Sequence, residues 1–380
     1  MTVAHTDVVV IGAGITGLSV ALHLAEAGVK PIVLEREGVA AGASGVQPGG
    51  VRQQWSTPLN CRLARESAAF FADLPSRLDS TLPLGFAKCG YAFLAHSEER
   101  LAQLGAAVSV QNAAGIPSKL LSPAEAEATV PGLATDELAG ASWCGEDGYF
   151  DRPQSVVEAF GHAARARGAE LLVADVVSIA PDGDGWTLTL PGGSSIVTGR
   201  VVLAAGCDTA ALAATAGLEL PIERQARHLF YSEPIADRIL EPLVVAPERN
   251  FAAKQLADGR ILASDLAASG EPEAGRADWL GHVRRVANDL LPRLTYVSFS
   301  ILVTGYYDVT PDNQPVLGSV DGLPGLYLAA GFSGHGFMLA PAVGRRIAAA
   351  VLGGVADDAL EEFSYARFAR GALQRELVNV

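Results

Sequence analysis

The chain opens with a short continuous apolar run, Asp7–Ile11 (DVVVI), which is what a strand buried on both faces of a parallel sheet carries. Apolar residues then recur at Leu18, Ala21, Leu22 and Ala25, the spacing of a helix over Leu18–Ala27 with one buried stripe. Gly28 stands where a glycine closes such a helix, and Pro31–Leu34 is a second apolar run ending in Glu35. Strand, tight turn, helix and strand within about 30 residues predict a βαβ unit.

Further along, Arg62–Leu74, Glu98–Asn112 and Pro153–Gly168 read as helices and Glu170–Val173 as a strand. Trp186–Leu190 and Ile196–Leu203 flank Pro191-Gly192-Gly193, a hairpin signal. Leu229–Tyr231, Ile261–Ala263 and Tyr296–Val303 predict strands of a second, more antiparallel sheet. Gly325–Ala330 predicts an apolar strand and Pro341–Leu352 an Ala-rich helix. The patterns of a nucleotide-binding fold therefore lie at both ends of the chain. The expected architecture is α/β (α+β mixed): a discontinuous Rossmann-type domain from residues 1–85, 150–220 and 320–380, with a mainly antiparallel-sheet substrate domain from 86–149 and 221–319 inserted.

Composition narrows the classes. The 380 residues are 49% hydrophobic and 18% charged, as in a compact folded protein. The formal charge of −14 argues against nucleic acid and against anionic membrane surfaces. Gly325–Gly344 is apolar but holds five glycines, a histidine and a proline, so it reads as a loop running into a helix and not as a bilayer span. A strand begins almost at once with no basic, cleavable leader before it, so a cytoplasmic location is expected. The cysteines at 61, 89, 144 and 207 form no C-x-x-C pair and no zinc spacing, so no metal is expected.

Candidate chemistry begins at Gly12-x-Gly14-x-x-Gly17, set between the first strand and helix. Gly12 permits the tight turn, Gly14 lets backbone approach a pyrophosphate, and Gly17 lets helix and strand pack closely. The phosphate then sits at the positive end of the helix. Glu35, 18 residues after Gly17, stands where an acid binds a ribose hydroxyl pair.

With VVVIGAGITGLSVALHLAEAG, the segments GASGVQPGGVRQQW, DVTPDNQPVLG and GFSGHGFMLAP resemble the FAD-dependent oxidoreductases of the D-amino-acid oxidase, glycine oxidase and sarcosine oxidase family, most of all its sarcosine oxidase β-subunit branch. The resemblance spans the chain and implies FAD with its ADP half on the Gly12–Gly17 unit, including Ile15 and Thr16, beside Glu35 and Arg36. It implies Ala43 and Ser44 near the pyrophosphate and Gly49, Gly50 and Val51 near the flavin ring. Val176 matches a position whose backbone meets the adenine, and Ala205 and Gly206 match a strand end beside the cofactor. The loop Gly331, Ser333, Gly334, His335, Gly336, Phe337 and Met338 matches the segment whose amides meet the flavin carbonyl, ahead of a helix whose dipole stabilises negative charge.

Covalently flavinylated relatives carry a cysteine where Gly305 stands, so non-covalent FAD is expected. Relatives that pair a lysine with the substrate carboxylate have it where Met338 stands, and their oxygen-activating lysine falls near Ala263 or Ser264. On the substrate side Arg52 is the candidate carboxylate anchor, since a guanidinium holds a carboxylate with two hydrogen bonds. Tyr307 matches an active-site tyrosine, and His335 joins these two as a candidate catalytic-loop residue. Tyr306, Lys254, Arg227 and His228 are weaker candidates. The implied reaction is oxidation of the C–N bond of a small amine or amino acid by hydride transfer to flavin N5, giving an imine that hydrolyses. Oxygen or another acceptor would take the electrons. A 2-hydroxy acid as substrate, with His228 or His335 as base, is the alternative, as is a subunit of a multi-chain amine dehydrogenase. A homo- or hetero-oligomer is left open.

Overall fold

A computed structural model describes residues 3–354 and 356–378. The opening strand is longer than the apolar run: Val3–Ile11 lies parallel to Ser195–Leu203, from Val3 opposite Ser195 to Ile11 opposite Leu203. Its first half, where Val3 and Ala4 precede the polar His5, Thr6 and Asp7, is held by backbone pairing and breaks the apolar run. In the apolar half, Val8 and Val10 enter one hydrophobic cluster while Val9 and Ile11 enter another. Burial on both faces is why that run is unbroken.

Helix Ile15–Glu26 returns the chain to Ile32–Glu35, which pairs parallel with the first strand, and Glu170–Val173 adds to that side. On the other side Ser195–Leu203 pairs antiparallel with Gly185–Thr189 and parallel with Leu323–Ala330. Val316–Val320 joins the same sheet by pairing with Leu323–Ala330, so the expected boundary at residue 320 falls inside this hairpin.

The last long helix is Gly336–Val351, five residues longer at its start than Pro341–Leu352. Proline favours the first helical position, but here Pro341 sits inside the helix, which starts at Gly336. This helix packs on Ile15–Glu26 so closely that a Cβ at Gly344 would lie 2.2 Å from Ser19 Oγ.

The second sheet has eight strands, ordered Phe299–Val309, Glu223–Ser232, Ile261–Asp265, Phe251–Gln255, Leu243–Ala246, Tyr91–Ala95, Gly140–Cys144 and Lys119–Leu121. All pair antiparallel except Leu243–Ala246 with Tyr91–Ala95. Its first strand starts at Phe299 and not at Tyr296, which is 97% exposed. Helix Pro272–Leu290 covers one face with Val283, Val286, Ala287 and Leu290.

The remaining predicted helices run Pro58–Ala72, Glu98–Ala113 and Pro153–Ala166. The first begins four residues early because Thr57 caps it, its side chain accepting from Asn60 N, with Pro58 at the first position. Val378, near the end of a segment expected with the first sheet, is buried with Tyr91, Phe93 and Leu243 of the second. No helix among the described residues is long and apolar enough to cross a membrane.

Candidate active site

A cavity of about 590 Å³ lies at the carboxyl ends of the first sheet's strands, walled by Ile11, Glu35, Ala174, Ala204 and Ala329. The first strand has neighbours on either side that connect in opposite directions, and the crevice beyond such a switch point is where α/β sheets bind ligands. Gly12 has φ +109°, and a Cβ there would meet Ala204 O at 2.3 Å. Gly14 caps helix Ile15–Glu26 with no side chain, and Ile15 N donates to Ser44 Oγ at 3.1 Å. The other first-turn amides have no side-chain acceptor in the cap, which suits an anion. Glu35 Oε2 accepts from Ala13 N at 2.8 Å and Oε1 from Glu37 N at 3.1 Å, so the carboxylate holds the turn and keeps lone pairs for hydroxyl donors. Arg36 faces Asp208 at 3.2 Å, each about half exposed.

Ile15, Thr16, Ala43, Ser44, Val176, Ala205 and Gly206 also line this cavity. Gly17 does not: a Cβ there would stand 2.1 Å from Gly12 O, so its work is helix-to-loop packing. At the far wall stand Gly305, Gly334, Gly336 and Phe337. The N-terminus of helix Gly336–Val351 has no side-chain cap, so a second set of orphan amides reaches the same cavity. Asp308, which the sequence reading passed over, accepts from Gly331 N at 2.7 Å through Oδ2 and from Ser333 N at 3.1 Å through its carbonyl. It ties the glycine loop to the strand, and burial pushes its carboxyl above the usual range.

Several expected cofactor residues lie off this wall. Gly49 packs against Phe150 and Gly50 against Tyr91, where added Cβ atoms would meet Phe150 O at 2.2 Å and Tyr91 Oη at 1.9 Å. Val51 is buried beside them, and Met338 belongs to the hydrophobic core. Gly331 fits against Thr310. Ser333 and His335 face a second cavity instead.

That second cavity, of about 260 Å³, shares the Tyr307 ring with the first. Its polar lining is Gln225, Arg227, Asn250, Asn313, Ser333 and His335, with no carboxylate among the described residues. Burial and the nearby Arg52 hold His335 at about 3, so its ring is neutral.

Arg52, expected as the carboxylate anchor, lines neither cavity. It is 1% exposed, it donates to Gln54 O and, at 2.7 Å, to Val378 O, and its guanidinium lies 4.0 Å from the Trp55 ring centroid. Arg227 reaches the second cavity in its place. His228 is removed from both cavities: its ring stacks on Trp279 at 4.0 Å and bonds Thr304 Oγ1 and Gly270 O. Lys254 is buried, bonds Pro48 O and lies over the Tyr149 ring, and burial holds its ammonium down at about 7. Tyr306 lines the first cavity under the Arg224 guanidinium, 3.6 Å from its ring. Ala263 and Ser264 sit within the second sheet, opposite Ala253 and Ala252.

The donor set of the larger cavity fits a dinucleotide whose other end is a flat ring that gains negative charge. It offers a glycine turn, a carboxylate and two uncapped helix ends. The family model described as "FAD dependent oxidoreductase" (DAO) matches residues 7–350. The chain is 28% identical to FAD-dependent oxidoreductase domain-containing protein 1 of Bos taurus, covering 98% of this chain and 86% of that protein. Its structure is similar to that of L-proline dehydrogenase from P. horikoshii, with TM-score 0.91 and 29% identity over 98% of this chain and 100% of the other. It is also similar to glycine oxidase from Geobacillus kaustophilus, with TM-score 0.86 and 26% identity over 96% and 99% of the two chains.

Proposed function

We propose, from the premise that the chain belongs to the DAO family of FAD-dependent oxidoreductases, that it oxidises the C–N bond of a small amine or amino acid. Non-covalent FAD would fill the larger cavity and the substrate the smaller one. The carrying observation is that two uncapped helix N-termini converge on a cavity that meets a second, polar one at Tyr307. The activities named for the similar structures, on L-proline and on glycine, support the same reading. The division into a discontinuous cofactor region and a substrate region is part of this proposal.

FAD, when bound, supplies the acceptor for the hydride that leaves the substrate carbon, at flavin N5. The chain's residues do the rest. The Gly12–Gly14 turn and Ser44 hold the phosphates, and Glu35 accepts from ribose hydroxyls. The amides and dipole at Gly336 favour negative charge arriving on the ring. Tyr307 sets the substrate against the cofactor. The smaller cavity has no carboxylate to stabilise an ammonium, so it favours the uncharged amine, whose lone pair the oxidation requires. Water then hydrolyses the imine to a carbonyl compound and the free amine or ammonia.

A hydroxy acid would need a base for the hydroxyl proton. His228 is stacked away from the cavities, and His335 is held too far below neutrality to serve. The test is anaerobic addition of glycine, sarcosine, L- and D-proline and other amino acids to the yellow protein, read by flavin absorbance, followed by air. Bleaching by an amine supports the reading, and the rate of recolouring tells oxygen from another acceptor. Bleaching by a hydroxy acid and by no amine would overturn it. Size-exclusion chromatography of the active species decides whether the chain works alone or as a subunit.

A further inference from the structure

Arg52 is enclosed behind the smaller cavity, and every group its guanidinium meets there is an acceptor or a ring face. It donates to Gln54 O and, at 2.7 Å, to Val378 O, and its Nη2 points at His335 Nε2 from 3.4 Å. It lies 4.0 Å from the Trp55 ring centroid, and the Trp55 ring meets His335 edge to face at 4.7 Å. The acids whose charge acts on it are Glu376 and Asp147.

Val378 and Glu376 belong to a terminal segment that is itself bonded on both sides. Glu376 accepts from Ser56 N at 2.7 Å and from Asn60 Nδ2 at 3.1 Å. Leu377 N donates to Ser56 Oγ at 3.0 Å, and Leu377 O accepts from Arg100 at 2.9 Å. The end of the chain therefore fixes where the guanidinium sits.

A guanidinium has five donors and no acceptor. A ring nitrogen that faces it offers a lone pair, because an N–H there would oppose another N–H. His335 then carries its single proton on Nδ1, with the Phe332 carbonyl as the acceptor beside the ring. His335 lines the smaller cavity and leads into helix Gly336–Val351, so a charge on it would add to the positive end of that helix. The other titratable groups lining this cavity are Arg227 and Tyr307, and burial keeps the Tyr307 phenol neutral. Asp308 is turned to the glycine loop, its carboxyl accepting from Gly331 N.

We infer that Arg52 is a positioning residue, held by the end of the chain, that fixes His335 as the neutral Nδ1–H tautomer where the two cavities meet. The inference deepens the proposed function and rests on it for assigning the smaller cavity to the substrate, whereas the tautomer is set without substrate. With Nε2 turned to Arg52, the ring takes no proton from a bound molecule, and the junction keeps one charge state across the working range.

The experiment is two-bond ¹H–¹⁵N correlation spectroscopy of the oxidised holoenzyme with ¹⁵N-labelled histidine, at about pH 5.5 and about pH 8.5, on either side of an ordinary histidine. The His335 signals are those lost in His335→Gln. The parent is expected to show a single Nδ1–H tautomer, unshifted between the two pH values. Arg52→Met keeps the stem under Trp55 and removes the donors, so its His335 should populate both tautomers and begin to protonate at the lower pH. Arg52→Lys keeps a donor-only cation and should stay close to the parent pattern. An Nε2–H tautomer or a protonated ring in the parent would overturn the assignment without any variant, so the test survives a variant that fails to fold. An unshifted Nδ1–H tautomer in Arg52→Met would overturn it too, as would the same mixing in the lysine variant as in the methionine one. If the spectra are as expected but no amine bleaches the flavin, the role of Arg52 stands and the C–N reading falls.

Discussion

Around the larger cavity, the groups turned toward a ligand are mostly main chain, the amides of the two uncapped helices and the Gly12–Gly14 turn. Around the smaller one they are side chains, Arg227, Gln225, Asn250, Asn313 and Ser333. The two sites therefore fail differently. A backbone site tolerates changes in side chains that merely edge it, and it collapses when an added Cβ displaces the chain. A side-chain site is edited one residue at a time. This difference suits a protein that keeps one cofactor while its substrate is set by a handful of residues.

The sharpest way to break the comparison is Gly12→Val. Its φ of +109° and a Cβ 2.3 Å from Ala204 O leave no room for any side chain. The expected cost is about 3 kcal/mol in the loop, which lowers FAD affinity by about 100-fold or unfolds the unit. The measurement is flavin content after purification, together with Tm. A variant that keeps its full FAD complement would show that the turn is not the phosphate site.

Gly334→Ala tests the boundary between the cavities. The residue has φ +91°, and its added methyl would lie 2.3 Å from the Tyr307 ring. Displacing that ring misplaces the substrate relative to the cofactor, so kcat should fall about 10- to 100-fold. FAD content should stay close to that of the parent, because the Gly12 turn and Glu35 are untouched. Parallel loss of FAD and turnover would mean that the two cavities are one site.

The same contrast explains what could be read from the chain alone. Gly12, Gly14, Glu35 and the loop ahead of the last helix were legible because main-chain sites need glycine at fixed spacing and an acid at a strand end. Arg227 was legible only as one of four weaker candidates. In ERQARHLFYS nothing local separates Arg224, stacked on Tyr306, from Arg227, turned into the second cavity, since the inward face depends on pairing with a strand some 80 residues later. Arg52 looked stronger because it follows Gly49 and Gly50. The fold, however, brings Trp55 and the carbonyl of Val378 onto its guanidinium, and the second of these comes from the other end of the chain. The polar half of Glu223–Ser232 was likewise silent, being a strand through its ladder with Phe299–Val309 and not through hydrophobicity.

The smallest effect expected is at Arg36, a side chain on the rim of the backbone cavity. Arg36 and Asp208 are 52% and 50% exposed, so their 3.2 Å pair is worth about 0–1 kcal/mol in water. Arg36→Ala should therefore raise the Kd for FAD by no more than about fivefold at low salt. The difference should vanish at about 1 M salt, where exposed charges are screened within a few ångströms. Titration of the apoprotein with FAD at the two salt concentrations measures both. A loss well beyond tenfold that persists at high salt would mean that Arg36 bonds the cofactor directly, and the larger cavity would then owe its affinity to side chains as much as the smaller one does.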